Sequence, residues 1–265
     1  MNAIVLQPGD LVIAAALLVL DGGLSVALGL GLHRAMLIAA ARMAVQLLLI
    51  GVVLRTVLQS GSGAATVGIL VVMTLVAVRE AAARPRHRLA RLGNYWVAGL
   101  AVGASTALAA LLALTTALRP EPWWNPRYAI PVTGIVLGSA FGTASLTLDG
   151  VLGGAAAARA GIEARLALGH PFAAATRPLV ADAIRRGLMP VLNQMAAAGL
   201  VTLPGTMTGQ ILAGLDPVEA VKYQILLMLL LAGASALAAI ITAQLAARRL
   251  TDGRQRLRLD RLRAG

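Results

Sequence analysis

The chain of 265 residues contains no cysteine. This excludes disulfides, thiolate metal sites and thiol redox switching, and it leaves the compartment to be settled by other features. Histidine is scarce too: His33, His87 and His170 lie far apart and lack the spacing of a metal-ligand set, so no soft-metal site is expected from this chain alone. The only lysine, Lys222, follows Val221, so a Walker A sequence is impossible. No catalytic triad, zinc motif or dinucleotide fingerprint appears, and no enzyme activity or bound cofactor is expected. If ATP is used, another chain must bind it. The N-terminal MNAIVLQPGD has no basic n-region and does not look like a cleaved signal peptide. There is also no soluble domain and no low-complexity linker.

What the chain does have is apolar length. It is 58% hydrophobic, with a mean hydropathy of +0.81, far above a soluble domain. Several runs reach the roughly 20 residues needed to cross about 30 Å of hydrocarbon. Seven spans are expected: Leu11–Leu32, Met36–Leu58, Gly61–Val78, Tyr95–Leu118, Tyr128–Leu148, Leu188–Leu203 and Val218–Ala247. The fold class is therefore all-α, a polytopic integral membrane protein with a single transmembrane domain over residues 1–265.

The net charge of +12 would suit nucleic acid, but the arginine positions point to a membrane instead. Arg34, the Arg79–Arg91 cluster, the Arg159–Arg186 cluster and the tail at 248–265 all fall on one side. The other side receives only Arg55, Arg119, Arg127 and Lys222. The positive-inside rule then places the N-terminus outside and the C-terminus in the cytoplasm. The basic tail reads as a topology determinant near anionic headgroups, and no nucleic-acid partner is expected.

Polar groups inside spans are costly and each needs a reason. Asp21 sits mid-span in LVLDGGLSV, and Arg42 and Gln46 share one face of the second span in ARMAVQLLLIG. Asp149 closes the fifth span, while Asn193 and Gln194 open the sixth. These groups either pair within the bundle, Asp21 with Arg42 first, or line a translocation path. GLAVG (99–103) and GIVLG (134–138) are GxxxG patterns that favour close helix packing. Trp123, Trp124 and Tyr128 in RPEPWWNPRY suit an interfacial aromatic belt.

Two segments stand apart. Gly161–Gly187 interleaves apolar and charged residues at helical spacing, and Glu163-Ala164 is followed six residues after the glutamate by Gly169. That spacing resembles the EAA–Gly loop of ABC-transporter permeases, which docks on an ATPase subunit; a membrane-surface helix is the other reading. The stretch LVTLPGTMTGQILAG (200–214) sets Pro204, Gly205 and Gly209 beside Thr206, Met207, Thr208 and Gln210. It reads either as a re-entrant gate offering oxygen ligands to a hard cation or polar solute, or as a capped turn in which Pro204 ends one helix and Asp216-Pro217 starts the next.

The blocks ARMAVQLLLIGVVL, IPVTGIVLGSAFGTASLTLD and NQMAAAGLVTLPGTMTGQILAGLDPVEAVKYQI, together with the Glu163 loop, resemble the FetB-type family. These are permease subunits of a bacterial iron-export ABC transporter, similar to plant permeases tied to aluminium tolerance. The resemblance spans almost the whole chain. One departure is visible, since Gly138-Ser139 stands where family members often carry Gly-Asn. The resemblance implies a permease domain in the bacterial inner membrane, a cytoplasmic ABC ATPase partner contacted through Glu163 and Gly169, ATP bound by that partner, and a permease homodimer in the lipid bilayer. The competing reading is an ion-coupled secondary transporter of a small polar solute, with Asp21 and Asp149 as proton-coupling groups.

Overall fold

A computed structural model describes residues 8–90 and 92–264; Arg91 and the segment before Pro8 lie outside the described residues. The chain divides into two compact units, Met1–Gly61 and Ser62–Gly265.

The first unit is a helical hairpin of α1 (Pro8–Ala27) and α2 (His33–Ser60). The first span was expected to run to Leu32, but α1 stops at Ala27. Gly29 and Gly31 adopt φ of 66° and 68°, backbone angles that suit glycine and break the helix. Ser25 fastens this turn: its backbone oxygen accepts from Leu30 N at 2.9 Å and its hydroxyl from Leu32 N at 2.9 Å. Leu18, Gly22 and Ser25 form the partly or fully buried stripe of α1, at the i, i+4, i+7 spacing of one helix face. Asp21 is turned off that stripe and is exposed. Among the described residues, accordingly, no salt bridge joins it to Arg42.

The second unit contains α3 (Gly63–Ala83), β1 (His87–Leu89), α4 (Gly93–Leu112) continued by a π-helical turn Ala113–Leu118, α5 (Pro126–Ala157), α6 (Arg159–Ala167), α7 (Phe172–Ala197), α8 (Gly205–Leu212), α9 (Pro217–Arg249) and β2 (Leu262–Ala264). Short polar side chains cap the starts of α3, α5 and α9. Ser62 Oγ accepts from Ala65 N at 3.3 Å, Asn125 Oδ1 from Arg127 N at 3.1 Å, and Asp216 Oδ1 from Val218 N at 2.9 Å. In α5 and α9 a proline follows the cap, where its missing N–H costs nothing.

Five described helices are long and apolar enough to cross a membrane: α2, α3, α4 with its π turn, α5 and α9. Two others fall where spans were read. Within α1 the described apolar stretch is Ala15–Ala27. The largest departure is α7. It was read as a span beginning at Leu188 after a separate cytoplasmic segment, yet it begins at Phe172 and carries Arg177, Asp182, Arg185 and Arg186 on the same helix. Asp182 and Arg186 pair one turn apart. The helix ends at Ala197, where Gly199 turns the chain at φ 86°.

Helix α5 is the hub, packing against α3, α4, α7 and α9. Its interfaces are built from small residues such as Ala140, Ala144, Ala238 and Ala243, all essentially inaccessible. Small side chains let helix backbones approach closely in a membrane. The closest approach is between α5 and α7. A Cβ on Gly154 would overlap Leu179, one on Gly187 would overlap the Thr147 hydroxyl, and one on Gly150 would lie 3.1 Å from Ala183 Cβ. The GxxxG patterns contribute only half of what was expected. Gly134 faces Met73 and Gly99 faces Val78, whereas added Cβ atoms at Gly103 and Gly138 would meet nothing within 4 Å.

The basic segment after α9 is folded, an order that the headgroup reading did not include. Strand β2 pairs antiparallel with β1, Leu89 opposite Leu262. The Arg261 guanidinium donates to Arg249 O at 2.9 Å and to Thr251 O at 3.0 Å. Gln255 Oε1 accepts from Phe172 N at 2.8 Å and so holds the start of α7. Asp252 accepts from the backbone N–H of Arg254 and Arg256, both at 3.0 Å, and from the Arg256 guanidinium at 2.9 Å. These bonds hold its carboxyl well below the usual carboxylate range. Nearby, Asn94 bridges Leu89 N and Ala82 O at 3.0 Å each, and Asp149 Oδ1 accepts from Arg86 N at 2.8 Å.

Replacing Gly187 with valine forces bulk between α5 and α7 and is expected to cost about 1–3 kcal/mol or more. Gly103→Val meets open space and is expected to cost far less. Melting temperatures of the two variants in detergent distinguish the positions, and equal melting would remove the α5–α7 approach as a constraint.

Candidate functional site

Two cavities lie along α5. The first, of about 500 Å³, is an open cleft between α5, α8 and α9, with Arg127, Tyr128, Thr206, Gln210 and Tyr223 as its polar lining. The Thr206 hydroxyl donates to Gln224 Oε1 at 2.5 Å, tying α8 to α9. The second, of about 340 Å³, lies between α5, α7 and α9. Gly138, Ser139, Gly142 and Thr143 form its α5 wall, and Pro190, Val191 and Gln194 its α7 wall. Ser139 Oγ lies 2.8 Å from Ser235 Oγ of α9. Ile135 lines both cavities and is the residue between them.

Outside these linings, buried Thr133 and Thr147 of α5 and Thr242 of α9 have side-chain oxygens without a partner among the described residues. Each carries a desolvation penalty in an apolar bundle.

The stretch that interrupts the apolar pattern at 200–214 is an additional helix. Pro204 caps the start of α8 instead of ending α7, which stops seven residues earlier. The connection is a narrow turn in which Gly199 N donates to Thr202 O at 2.9 Å. Asp216-Pro217 starts α9 as the sequence suggested. No residue of α8 is buried.

The sequence-derived candidates therefore divide. Thr206 and Gln210 line the first cavity and Gln194 the second. Thr208 is exposed and its hydroxyl donates back to Pro204 O at 3.2 Å; half-buried Met207 and exposed Asn193 line neither cavity. Asp149 is committed to Arg86 N, about 15 Å along α5 from Ser139. Asp21, Arg42 and Gln46 belong to the first unit. Sequence reading missed Ile135, Thr143, Gln224 and Ser235. One signal for the second cavity was available: Ile135, Ser139, Thr143 and Thr147 repeat every four residues, placing hydroxyls on one face of α5.

A third feature lies at the end of this unit that holds β1 and β2. Glu163 on α6 pairs with Arg159 at 2.9 Å. A groove of about 820 Å³ runs between Glu163–Pro171 and the Gly253–Leu257 loop. Gly169 adopts φ 86°, and an added Cβ would meet nothing within 4 Å. Gly169 therefore serves as a turn and not as a close approach to a neighbouring element.

Residues 8–251 match the model of a family described as "Uncharacterised protein family (UPF0014)". The chain is a member of that family. It is 38% identical over 204 residues to a UPF0014 membrane protein of Synechocystis, covering 77% of this chain and 78% of the relative. It is 33% identical over 223 residues to "Protein ALUMINUM SENSITIVE 3" of Arabidopsis thaliana, covering 84% and 79%. It is 29% identical over 234 residues to "Probable iron export permease protein FetB" of Escherichia coli, covering 88% of each. No solved structure matches the chain. This UPF0014 protein is thus a helical membrane protein, and its relatives include one named as an iron export permease.

The absence of cysteine makes single-cysteine labelling clean. Ser139→Cys is expected to react slowly with an impermeant thiosulfonate reagent added from the α8 side, and Gln210→Cys quickly. Adding Ile135→Ala is expected to accelerate labelling at position 139 several-fold, while an unchanged rate would mean that Ile135 does not separate the cavities.

Proposed function

We propose that this UPF0014 protein is the permease subunit of an ABC transporter that exports iron or another metal ion, with ATP hydrolysed by a separate cytoplasmic subunit. The observation that carries this reading is the path of α7. The helix starts at Phe172 beside the Glu163–Gly169 groove and reaches Gln194 at the second cavity, about 33 Å along one continuous helix. A displacement at the groove is therefore carried to a cavity wall through one continuous helix. Pro178 and Pro190 interrupt its hydrogen-bond ladder and supply places where it bends.

The cargo class rests on the printed name of the Escherichia coli relative. The secondary-transporter reading loses ground because Asp149, one of its two proton carriers, already accepts a backbone hydrogen bond. The reading further assigns the chain to the bacterial inner membrane as a homodimer with seven spans, its N-terminus outside and the groove facing the cytoplasm. That orientation follows from the arginine bias. It places α8 and the first cavity toward the outside.

The test is copurification with an ABC ATPase and ATPase-dependent efflux. Glu163→Lys is expected to abolish both while leaving the protein inserted. Gly169→Asn, which tolerates a left-handed backbone, is expected to retain more coupling than Gly169→Val. Flux that survives Glu163→Lys and needs no ATPase would overturn the permease assignment. For orientation, single cysteines at Ser62 and Asn125 should label from outside intact cells and one at His87 should not; labelling at position 87 would reverse the topology.

A further inference from the structure

The second cavity has a chemical character that bears on how a cargo is held, and this inference rests on the transport reading above. Its polar lining is Ser139, Thr143 and Gln194, with Gly138 and Gly142 adding no side-chain bulk. Thr143 is only 4% exposed, lines the cavity, and its hydroxyl makes no hydrogen bond among the described residues. A buried hydroxyl is normally satisfied, so one that lines a cavity unpaired is available to an occupant. Ser139 shares one hydrogen bond at 2.8 Å with the fully buried Ser235 of α9, which leaves acceptor capacity on the Ser139 oxygen. The Gln194 amide, likewise without a partner among the described residues, adds two donors and an acceptor.

Neither cavity is lined by a carboxylate, imidazole or thiol among the described residues. The charged group in the first cavity is Arg127, which repels a bare cation. Sites that strip a hard divalent ion of its water supply anionic oxygens to replace it, and iron sites usually add imidazole. Neutral hydroxyls and an amide instead suit hydrogen bonding to ligands the ion already carries. Size agrees. An octahedral shell of about six waters at about 30 Å³ each occupies about 180 Å³, which fits within the cavity's 340 Å³. We propose that the Ser139–Thr143–Gln194 cavity is an outer-sphere site, binding a metal cation with its first shell of neutral ligands intact.

Hexaamminecobalt(III) provides the test, because this octahedral cation does not exchange its ligands and can bind only from outside its shell. The full-length protein in lipid nanodiscs is titrated with radioactive Fe²⁺ under reducing, oxygen-free conditions, with and without the cobalt complex. Competition by the complex is expected, together with about tenfold weaker binding of both ions in Thr143→Val. Ser139→Ala, a milder change on the same wall, should weaken both in the same sense. Iron binding that the complex does not displace would show direct coordination and overturn the proposal, as would no binding of either ion. The measurement needs no ATPase, so failure of the permease assignment and failure of this site give separate results.

Discussion

The close approach of α5 and α7 is the contact on which the rest of the second unit depends. Gly150, Gly154 and Gly187 let Ala183, Leu179 and Thr147 fill space that any side chain would take. In a bilayer, lipid tails are as apolar as leucine, so helices associate through packing and hydrogen bonds more than through hydrophobic expulsion. Small residues at the seam are therefore the source of association here. Because α5 also meets α3, α4 and α9, fixing α7 against α5 fixes it against the bundle. The Ser139–Thr143 cavity lies further along α5, where a Cβ added at Gly138 or Gly142 would meet nothing within 4 Å.

Polar groups in this structure sort by what they hold. Ser25, Asn94, Asp149 and Asp216 each accept a backbone N–H at a turn or helix start, so their cost is offset locally. The hydroxyls along the inner face of α5 are different. Several lack partners among the described residues, and a bundle gains nothing in stability from them.

The C-terminal segment gives α7 a second anchor. Gln255 grips its first N–H, and β2 fastens the same segment to β1 between α3 and α4. Asp252, with its carboxyl held strongly acidic by neighbouring arginine N–H groups, stays ionised throughout the neutral range. The Glu163–Gly169 groove is consequently bounded by two chain segments far apart in sequence.

Local chemistry made much of this legible in the residues. Apolar run length marked the membrane helices, and the start of α9 was readable because Asp216-Pro217 combines a side-chain cap with a proline. The Glu163–Gly169 spacing marked the groove, although the role of Gly169 needed its φ. The start of α7 was not readable, because its first half is too charged to look like part of the apolar helix that it joins. Nor could sequence separate Gly187, pressed against Thr147, from Gly103, which touches nothing; both are glycines in apolar surroundings. The sequence by itself determined that this is a helical membrane protein, where most helices lie and which family it belongs to, since these follow from runs and short motifs. Only the tertiary structure decided that Ser139, Thr143 and Gln194 line one cavity, that Ile135 lines two and that the tail clasps α7. Those facts depend on which faces of distant helices meet, and a one-dimensional pattern of small and apolar residues leaves many such pairings equally favourable.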